Sequence, residues 1–365
     1  MTLLNSSVIK LQPETILNIF LVFVPLAFIG NFLGWPGPCI FLISCLAIIP
    51  LAGLMGKATE ILADRLGAGL GGLLNATFGN ACELLIAISA LRAGLPDVVK
   101  ASITGSIVGN ILLVLGFSML AGGLKFKTQY FNRTAATTSA TLLALAAICL
   151  VVPTVFHYAA SHTSRANEDE LAIAISTVQI VVYFLSLYFS LKTHKNLYVR
   201  EMDVEVNEAI GTTGWGIKIG ITVLAVSTVL VALLSELLVG QVEVTAHTVG
   251  MSQLFIGVIL VAIIGNAAEH STAILMAMKN KMDLAINIAL GSSSQIALFV
   301  APFIVFTSFA IGKPMNLVFT EIEVLAVVVS VIILPFVATD GECNWLEGVQ
   351  LLAVYAILAA TFFFI

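Results

Sequence analysis

The sequence predicts an all-α polytopic membrane protein with eleven transmembrane helices, arranged as one leading helix followed by two inverted five-helix repeats. Three observations predict this class. The 365 residues are 59% hydrophobic and only 10% charged, with a mean hydropathy of +1.07, whereas soluble domains carry roughly 25% charged residues. Apolar runs recur along the whole chain, and one short motif containing a carboxylate occurs twice, each time inside such a run.

Each predicted span is an apolar run of about 20 residues, the length that crosses the hydrocarbon core of a bilayer. Segments rich in charge, Gly or Pro separate the runs, and the run 35–38 (Trp-Pro-Gly-Pro) predicts a tight turn after the first. Charged residues and glycines blur the boundaries around 56–70 and 236–250. In order, the predicted spans are 15–34, 37–56, 68–92, 101–124, 134–156, 171–191, 214–239, 249–278, 283–309, 316–338 and 345–364.

The distribution of Lys and Arg predicts the orientation of these spans. With the amino terminus in the cytoplasm, 12 of the 16 Lys and Arg residues fall on the cytoplasmic side, as the positive-inside rule requires. The other four are Arg92, Lys100, Arg165 and Lys313. Because a miscounted span would remove this bias, it supports eleven spans, with the carboxyl terminus outside.

Residues 79–116 and 265–302 form an internal repeat, which a shift of 186 positions aligns without a gap. The shared residues include the motif Gly-Asn-Ala-x-Glu at the start of both segments. They also include Asp97 and Asp283, Gly105 and Gly291, and Ser106 and Ser292. Composition bias matches alanines and leucines, but it does not readily match Asn, Glu, Asp, Gly and Ser in one register.

The two motifs lie on spans three and eight, five spans apart. Because five is an odd number, the copies enter the membrane from opposite sides, as in the inverted repeats of secondary transporters. The predicted organisation is a tail and leading helix (1–36), a first repeat (37–191), a cytoplasmic linker (192–213) and a second repeat (214–365). The linker is acidic, and a solvated connection is favoured over a weak cation sensor or a recruiting surface.

The motifs place carboxylates within membrane spans, which costs on the order of 3 kcal/mol each on insertion scales and makes them functional-site hypotheses by default. Residues three apart on a helix share a face, which pairs Asn80 with Glu83 and Asn266 with Glu269. Carboxylate and amide oxygens are hard ligands suited to calcium and similar ions. The first glycine of each motif permits a close helix contact or a break in the helix. The candidate site therefore comprises Gly79, Asn80, Glu83, Gly265, Asn266 and Glu269.

Polar residues on and after the motif helices supply a second layer. Ser106 and Asn110 share a face of span four, and Ser292 and Gln295 share a face of span nine. Such residues also join transmembrane helices by hydrogen bonds, an interpretation as strong as site lining for Asn110 and weaker for the other three. His270 follows the second motif glutamate on a different face, where modulation of the site and core packing are equal alternatives.

Glu60 and Glu236 each precede a motif helix, and their order in the chain predicts that they lie toward opposite faces of the membrane. They are candidate gate residues because a carboxylate at the mouth of a pathway attracts cations. For Glu60, an interfacial charge cluster with Lys57, Asp64 and Arg65 is an equal alternative.

Several other functional classes are excluded by the residue pattern. The five cysteines are scattered without a Cys/His cluster, so they predict neither disulfides nor a resident metal. The 16 Lys and Arg residues and net charge of −5 do not suggest nucleic-acid binding. No nucleophile–base pair or HExxH motif supports an enzyme. We therefore expect a transporter with no cofactor.

Two facing carboxylates suit a divalent cation because, when deprotonated, they neutralise its charge. When the ion leaves, close like charges in a low dielectric become unfavourable, and proton uptake is expected. Metal and proton then compete for the same oxygens. This competition is the minimum physical requirement for cation/proton antiport.

The segments GNACELLIAISAL, DVVKASITGSIVGNILLVLG, GNAAEHSTAIL and MDLAINIALGSSSQIALFVAP resemble the two signature repeats of the calcium/proton exchangers, the CAX family of calcium/cation antiporters. The segments SELLVG and GECNWLEGVQLLAVYAIL are also similar to family members. The resemblance implies an eleven-helix fold that exports calcium against its gradient, driven by inward proton flow. It further implies that Glu83 and Glu269 carry ion and proton, and that spans 2 and 7, with Glu60 and Glu236, act as moving gates. It implies a site lined by Asn80, Asn266, Ser106, Ser292 and Gln295.

The expected partners are Ca2+, protons and the lipid bilayer, and the preference over manganese or cadmium and the oligomeric state are left open. The run 291–295 (Gly-Ser-Ser-Ser-Gln) differs from the GSNxxN-like sequence of sodium/calcium exchangers, which favours proton coupling. A sodium-coupled or broader divalent exchanger is the first alternative, and a passive channel is the second. The lack of the long amino-terminal extension of plant vacuolar members favours a bacterial cell membrane, with a yeast-like vacuole as the alternative.

Overall fold

The computed structural model describes residues 19–159, 165–194 and 215–365, apart from the side chains of residues 67–70 and 76. The amino-terminal tail and most of the predicted acidic linker lie outside the described residues. The first helices are α1 (Phe23–Phe32), α2 (Gly37–Phe78), α3 (Ala81–Ala93), α4 (Pro96–Gly123), α5 (Arg133–Ala159) and α6 (Arg165–Thr193). They are followed by α7 (Ile217–Gly240), α8 (Val242–Val249), α9 (Gln253–Gly265), α10 (Ala267–Met278), α11 (Met282–Ala310), α12 (Glu321–Ala338) and α13 (Trp345–Phe363). Two short strands, β1 (Gln129–Tyr130) and β2 (Glu342–Cys343), form an antiparallel pair.

Eight helices in the described part of the chain are long and apolar enough to cross a membrane: α2 as far as Leu66, α4, α5, α6, α7, α11, α12 and α13. The protein is therefore a polytopic helical membrane protein, and the number eleven stays a prediction. The predicted span 15–34 is described only as a shorter apolar helix, Phe20–Phe32. The predicted spans 68–92 and 249–278 fall short because each is broken inside its motif.

Both breaks occur at the Gly-Asn pair of the motif. The first separates α2 from α3, and the second separates α9 from α10. Asn80 (φ −102°, ψ 17°) and Asn266 (φ −95°, ψ 6°) have nearly the same backbone conformation, in a sparsely populated region where many active-site residues lie. As a result, each motif glutamate lies in the first turn of a new helix.

The chain also turns sharply before each motif. A bend of 118° separates α8 from α9. In α2, a Cβ added at Gly71 would overlap the carbonyl oxygen of Ala63, although eight residues of straight helix span about 12 Å. The helix therefore doubles back after Leu66, and glycine is required at the contact. The predicted boundary between spans two and three, residues 56–68, is thus a bend in a continuous helical run instead of a loop.

The helices α4 and α11 form the centre of the bundle. In their most apolar windows, 83% of the α4 residues and 72% of the α11 residues are buried, against 22% for α6 and 28% for α13. Each central helix contains a π-turn, Gly109–Val114 in α4 and Ile296–Val300 in α11. These turns occupy nearly the same positions in the repeat alignment, and π-turns are frequent at functional sites.

Hydrogen bonds from interhelical segments lie near both ends of α4. At one end, Gln129 Nε2 donates to the Ala277 carbonyl oxygen at 2.8 Å, beside the β1–β2 pair. At the other, Lys313 Nζ donates to the Arg92 carbonyl oxygen at 2.6 Å. Both contacts join segments that the predicted order of spans places on the same side. Which end faces the cytoplasm stays a prediction.

Candidate functional site

The two motif glutamates lie in the first turns of α3 and α10, close together at the centre of the bundle. A Cβ added at Gly265 would lie 3.4 Å from Cγ and 3.5 Å from Oε1 of Glu83, so the glutamate of one motif touches the break of the other. Glu83 and Glu269 are close enough to interact electrostatically. Glu83 is 7% exposed, and Glu269 is half-buried. The fold thus brings together carboxylates that are 186 residues apart in the chain.

Each motif asparagine donates a hydrogen bond to the opposite half of the protein. Asn80 Nδ2 donates to Gln295 Oε1 on α11 at 2.5 Å. Asn266 Nδ2 donates to Ser106 Oγ on α4 at 2.9 Å, and also to the Ala262 carbonyl oxygen. The amide nitrogens therefore tie the two halves together across the site, and three of the four second-layer predictions involve residues that touch a motif residue directly.

Ser292 is the third of these residues, and its Oγ donates a hydrogen bond to Glu269 Oε2. The fourth, Asn110, contacts His270 instead: His270 Nε2 lies 2.9 Å from Asn110 Oδ1, and both residues are buried. Because an amide oxygen only accepts, the imidazole carries its proton on Nε2. This bond ties α10 to the π-turn of α4, which favours the core-packing interpretation for His270 and the helix-joining interpretation for Asn110.

Two ligand-type oxygens at the site are buried and have no hydrogen-bond partner within the described residues, namely Glu83 Oε2 and Asn266 Oδ1. Leaving a buried polar atom unpaired costs about 1–3 kcal/mol. A bound cation would offset this cost, because both atoms are hard oxygen ligands of the kind that Ca2+ takes. Within the same residues, no group of three or more His, Cys, Asp or Glu could hold a metal ion. The site therefore offers two carboxylates supplemented by neutral oxygens.

A small cleft lies beside Glu83, between α3, α4 and α11. Its lining is mostly apolar, with Ser102 and Ser106 as the hydroxyl-bearing residues. Ser102 was missed by the sequence analysis, although it lies one helical turn before Ser106 on the same face of α4. That spacing is the signal that could have found it.

The predicted gate residues lie apart from this cluster. Glu236 on α7 is exposed and lies 3.7 Å from Arg92, at the end of α3. Glu60 on α2 is half-buried, and its charged neighbours are Lys57 and Asp64. The surroundings of Glu60 favour the interfacial charge cluster over a role at the mouth of a pathway.

The chain is similar to known proteins over most of its length. The model of the sodium/calcium exchanger protein family matches residues 36–192 and 219–364. A Ca2+/H+ antiporter of Synechocystis sp. is 46% identical, over 95% of this chain and 96% of that protein. The Ca2+/H+ antiporter ChaA of Bacillus subtilis is 47% identical, over 93% of this chain and 96% of that protein.

Solved structures show the same fold. The native structure of YfkE is 43% identical and superimposes with a TM-score of 0.83, covering 96% of this chain and 100% of that chain. The structure of the H+/Ca2+ exchanger CAX, at 15% identity, has a TM-score of 0.73 and covers 97% of this chain and 93% of that chain. The resemblance predicted from the two repeated segments is confirmed: the chain is a transporter that belongs to the sodium/calcium exchanger protein family, among its calcium/proton exchangers.

Proposed function

We propose that this protein exports cytoplasmic Ca2+ in exchange for external protons, and that Glu83 and Glu269 bind the two ions in competition. One observation carries the proposal: Glu83 of the first motif lies against the Gly265 break of the second, so two carboxylates share one site. The relatives named Ca2+/H+ antiporters, 46% and 47% identical to this chain, support the same exchange.

The coupling follows from charge balance at the site. When both carboxylates are deprotonated, they neutralise Ca2+. Glu83 Oε2 and Asn266 Oδ1, which have no hydrogen-bond partner among the described residues, can contact it. Without Ca2+, two like charges in a low dielectric repel strongly, so protons bind in its place. The site therefore has its highest free energy when neither Ca2+ nor protons are bound. The carrier therefore crosses between its two conformations with Ca2+ or with protons, which makes the exchange obligatory.

Alternating access would come from two inverted repeats, residues 37–191 and 214–365. The shared conformation of Asn80 and Asn266 and the matching positions of the π-turns support this division. The helices α2 and α7 pack against each other extensively, so they can rock as one unit. The Arg92–Glu236 ion pair joins α7 to the end of α3. It does not prevent this motion, because an exposed ion pair contributes only about 0–1 kcal/mol.

Transport by purified protein in proteoliposomes tests this function. With an acidic lumen and Ca2+ outside, we expect Ca2+ to accumulate above its equilibrium level and to leak back when a protonophore is added. A sodium-loaded lumen at equal pH is expected to give no accumulation. Uptake that follows only the sodium gradient would overturn proton coupling while leaving the site intact, and equilibration without accumulation would indicate a channel.

The orientation is tested by labelling single cysteines with a membrane-impermeant maleimide in intact cells, in a Cys39→Ser background because Cys39 is the exposed native cysteine of the described chain. Lys313→Cys is expected to react from outside, and Lys127→Cys only after permeabilisation, since both positions are exposed and lie at opposite ends of α4. The reverse pattern would invert the proposed direction of export.

A further inference from the structure

In the π-turn of α11, a proline removes the main-chain donor that the hydrogen-bond register assigns to one carbonyl oxygen. Hydrogen bonds in this turn join residues five apart, as shown by the Ala301 N–H, which donates to the Ile296 oxygen. The next bond in that register would run from residue 302 to the Ala297 oxygen. Residue 302 is proline, which has no N–H. Because Ala297 is fully buried, its oxygen needs a donor from another element.

Gln179 of α6 is that donor. Its Nε2 donates to the Ala297 carbonyl oxygen at 3.1 Å, and Gln179 is also fully buried. One turn later on the same face, Tyr183 stacks on Phe299 of the π-turn, with ring centroids 5.1 Å apart. Of the eight spanning helices in the described residues, α6 has the smallest buried fraction, and α11, which contains the π-turn, is its main neighbour among them.

The other half of the protein provides a natural comparison. Its π-turn in α4 packs against α13, as the π-turn of α11 packs against α6. The repeat alignment matches Pro302 with Gly116, which keeps its N–H. On α6 the buried face is Ala172, Ser176, Gln179 and Tyr183, and on α13 the same spacing gives Leu351, Tyr355, Leu358 and Phe362. Gln179 thus lies in the half of the protein that has Pro302. The matching position in the other half, where Gly116 keeps its N–H, is Leu358.

We propose that Gln179 is a positioning residue for the ion site, replacing the N–H that Pro302 removes and holding the π-turn of α11 in the geometry that presents Gln295 to Asn80. The connection is short, because Gln295 directly precedes the turn and accepts the 2.5 Å hydrogen bond from Asn80 Nδ2. Without Gln179, the Ala297 oxygen is buried and unpaired, the turn shifts register to pair it, and Gln295 moves away from the motif. The effect on transport rests on the proposed function, whereas the effect on the turn does not.

The test is a rescue experiment. Gln179→Leu, which copies the α13 arrangement, is expected to raise the Ca2+ concentration for half-maximal uptake by about tenfold, with the maximal rate changed less than about twofold. Adding Pro302→Ala restores an N–H at position 302 and is expected to return that concentration to within about twofold of the wild-type value. Leu358→Ala, at the matching position of α13, is the control: it is expected to lower thermal stability, and Pro302→Ala is expected not to rescue it.

Hydrogen exchange of residues 293–301 in Ca2+-free protein reports the turn without any transport assay. We expect exchange about tenfold faster in Gln179→Leu and wild-type exchange in Gln179→Leu/Pro302→Ala. If Gln179→Leu does not fold, recovery of folded protein by Pro302→Ala supports the proposal in the same way. Unchanged exchange in Gln179→Leu, or a defect that Pro302→Ala does not relieve, overturns it. A protein that shows the exchange effects but moves no Ca2+ would overturn the proposed function alone.

Discussion

Replacing Glu269 with glutamine is expected to lower proton-driven Ca2+ uptake by more than about 100-fold while leaving the protein folded. Glutamine keeps the size of the side chain and an oxygen that accepts from Ser292, so the packing is retained. It removes one of the two charges that neutralise a divalent cation, and it takes up no proton in exchange. Initial rates in proteoliposomes measure the loss of uptake, and a size-exclusion profile of the same preparation reports whether the protein stays folded. Glu83→Gln is expected to give the same result.

The matched control is Glu243→Gln, which removes an exposed carboxylate of α8 that lies outside the site cluster. It is expected to transport at the wild-type rate. A fully active Glu269→Gln protein would contradict the mechanism, because the remaining carboxylate could not then be half of an obligatory pair.

Replacing Gly105 with alanine is expected to destabilise the fold by about 3 kcal/mol. A Cβ at this position would overlap the Val258 carbonyl oxygen and lie 2.6 Å from the carbonyl carbon. Because the obstacle is backbone, α4 and α9 must move apart, which also pulls Ser106 away from Asn266. We expect a lower apparent melting temperature in detergent, by roughly 5 °C or more, together with weaker transport.

The internal repeat supplies the control for this change. Gly291 aligns with Gly105, but a Cβ at Gly291 would have no atom within 4 Å. Gly291→Ala is therefore expected to leave the melting temperature within about 1 °C of the wild-type value. Equal losses from both substitutions would show that the effect reflects helix geometry in general and not the contact with Val258.

Much of the fold could be predicted from the sequence because the bilayer imposes a simple length rule on apolar runs. The motif glycines allowed either a close helix contact or a break, and the sequence could not decide for the breaks seen at Asn80 and Asn266, since the apolar pattern continues through them and no proline marks them. The bend near Gly71 was not predicted, because it depends on the contact with Ala63 and not on the helix propensity of the local sequence.

The candidate site was predictable in its residue types and less so in its partners. The repeat pointed to Glu83 and Glu269 because buried carboxylates are costly and rarely occur twice by chance. The bond from Asn80 to Gln295 crosses between the halves, and strict alignment pairs Gln295 with Gly109, so no symmetry argument predicts it. Gln179 was missed because its role depends on a proline in another helix.

The most direct test of the central claim is whether Ca2+ binding displaces protons from the purified protein when no gradient is present. Calorimetric titration with Ca2+ in buffers of different ionisation enthalpy gives the number of protons released per bound ion. We predict proton release by the wild-type protein, Ca2+ affinity that weakens as the pH falls, and loss of both in Glu269→Gln. Ca2+ binding without proton release, at an affinity independent of pH, would contradict a shared site for the two ions.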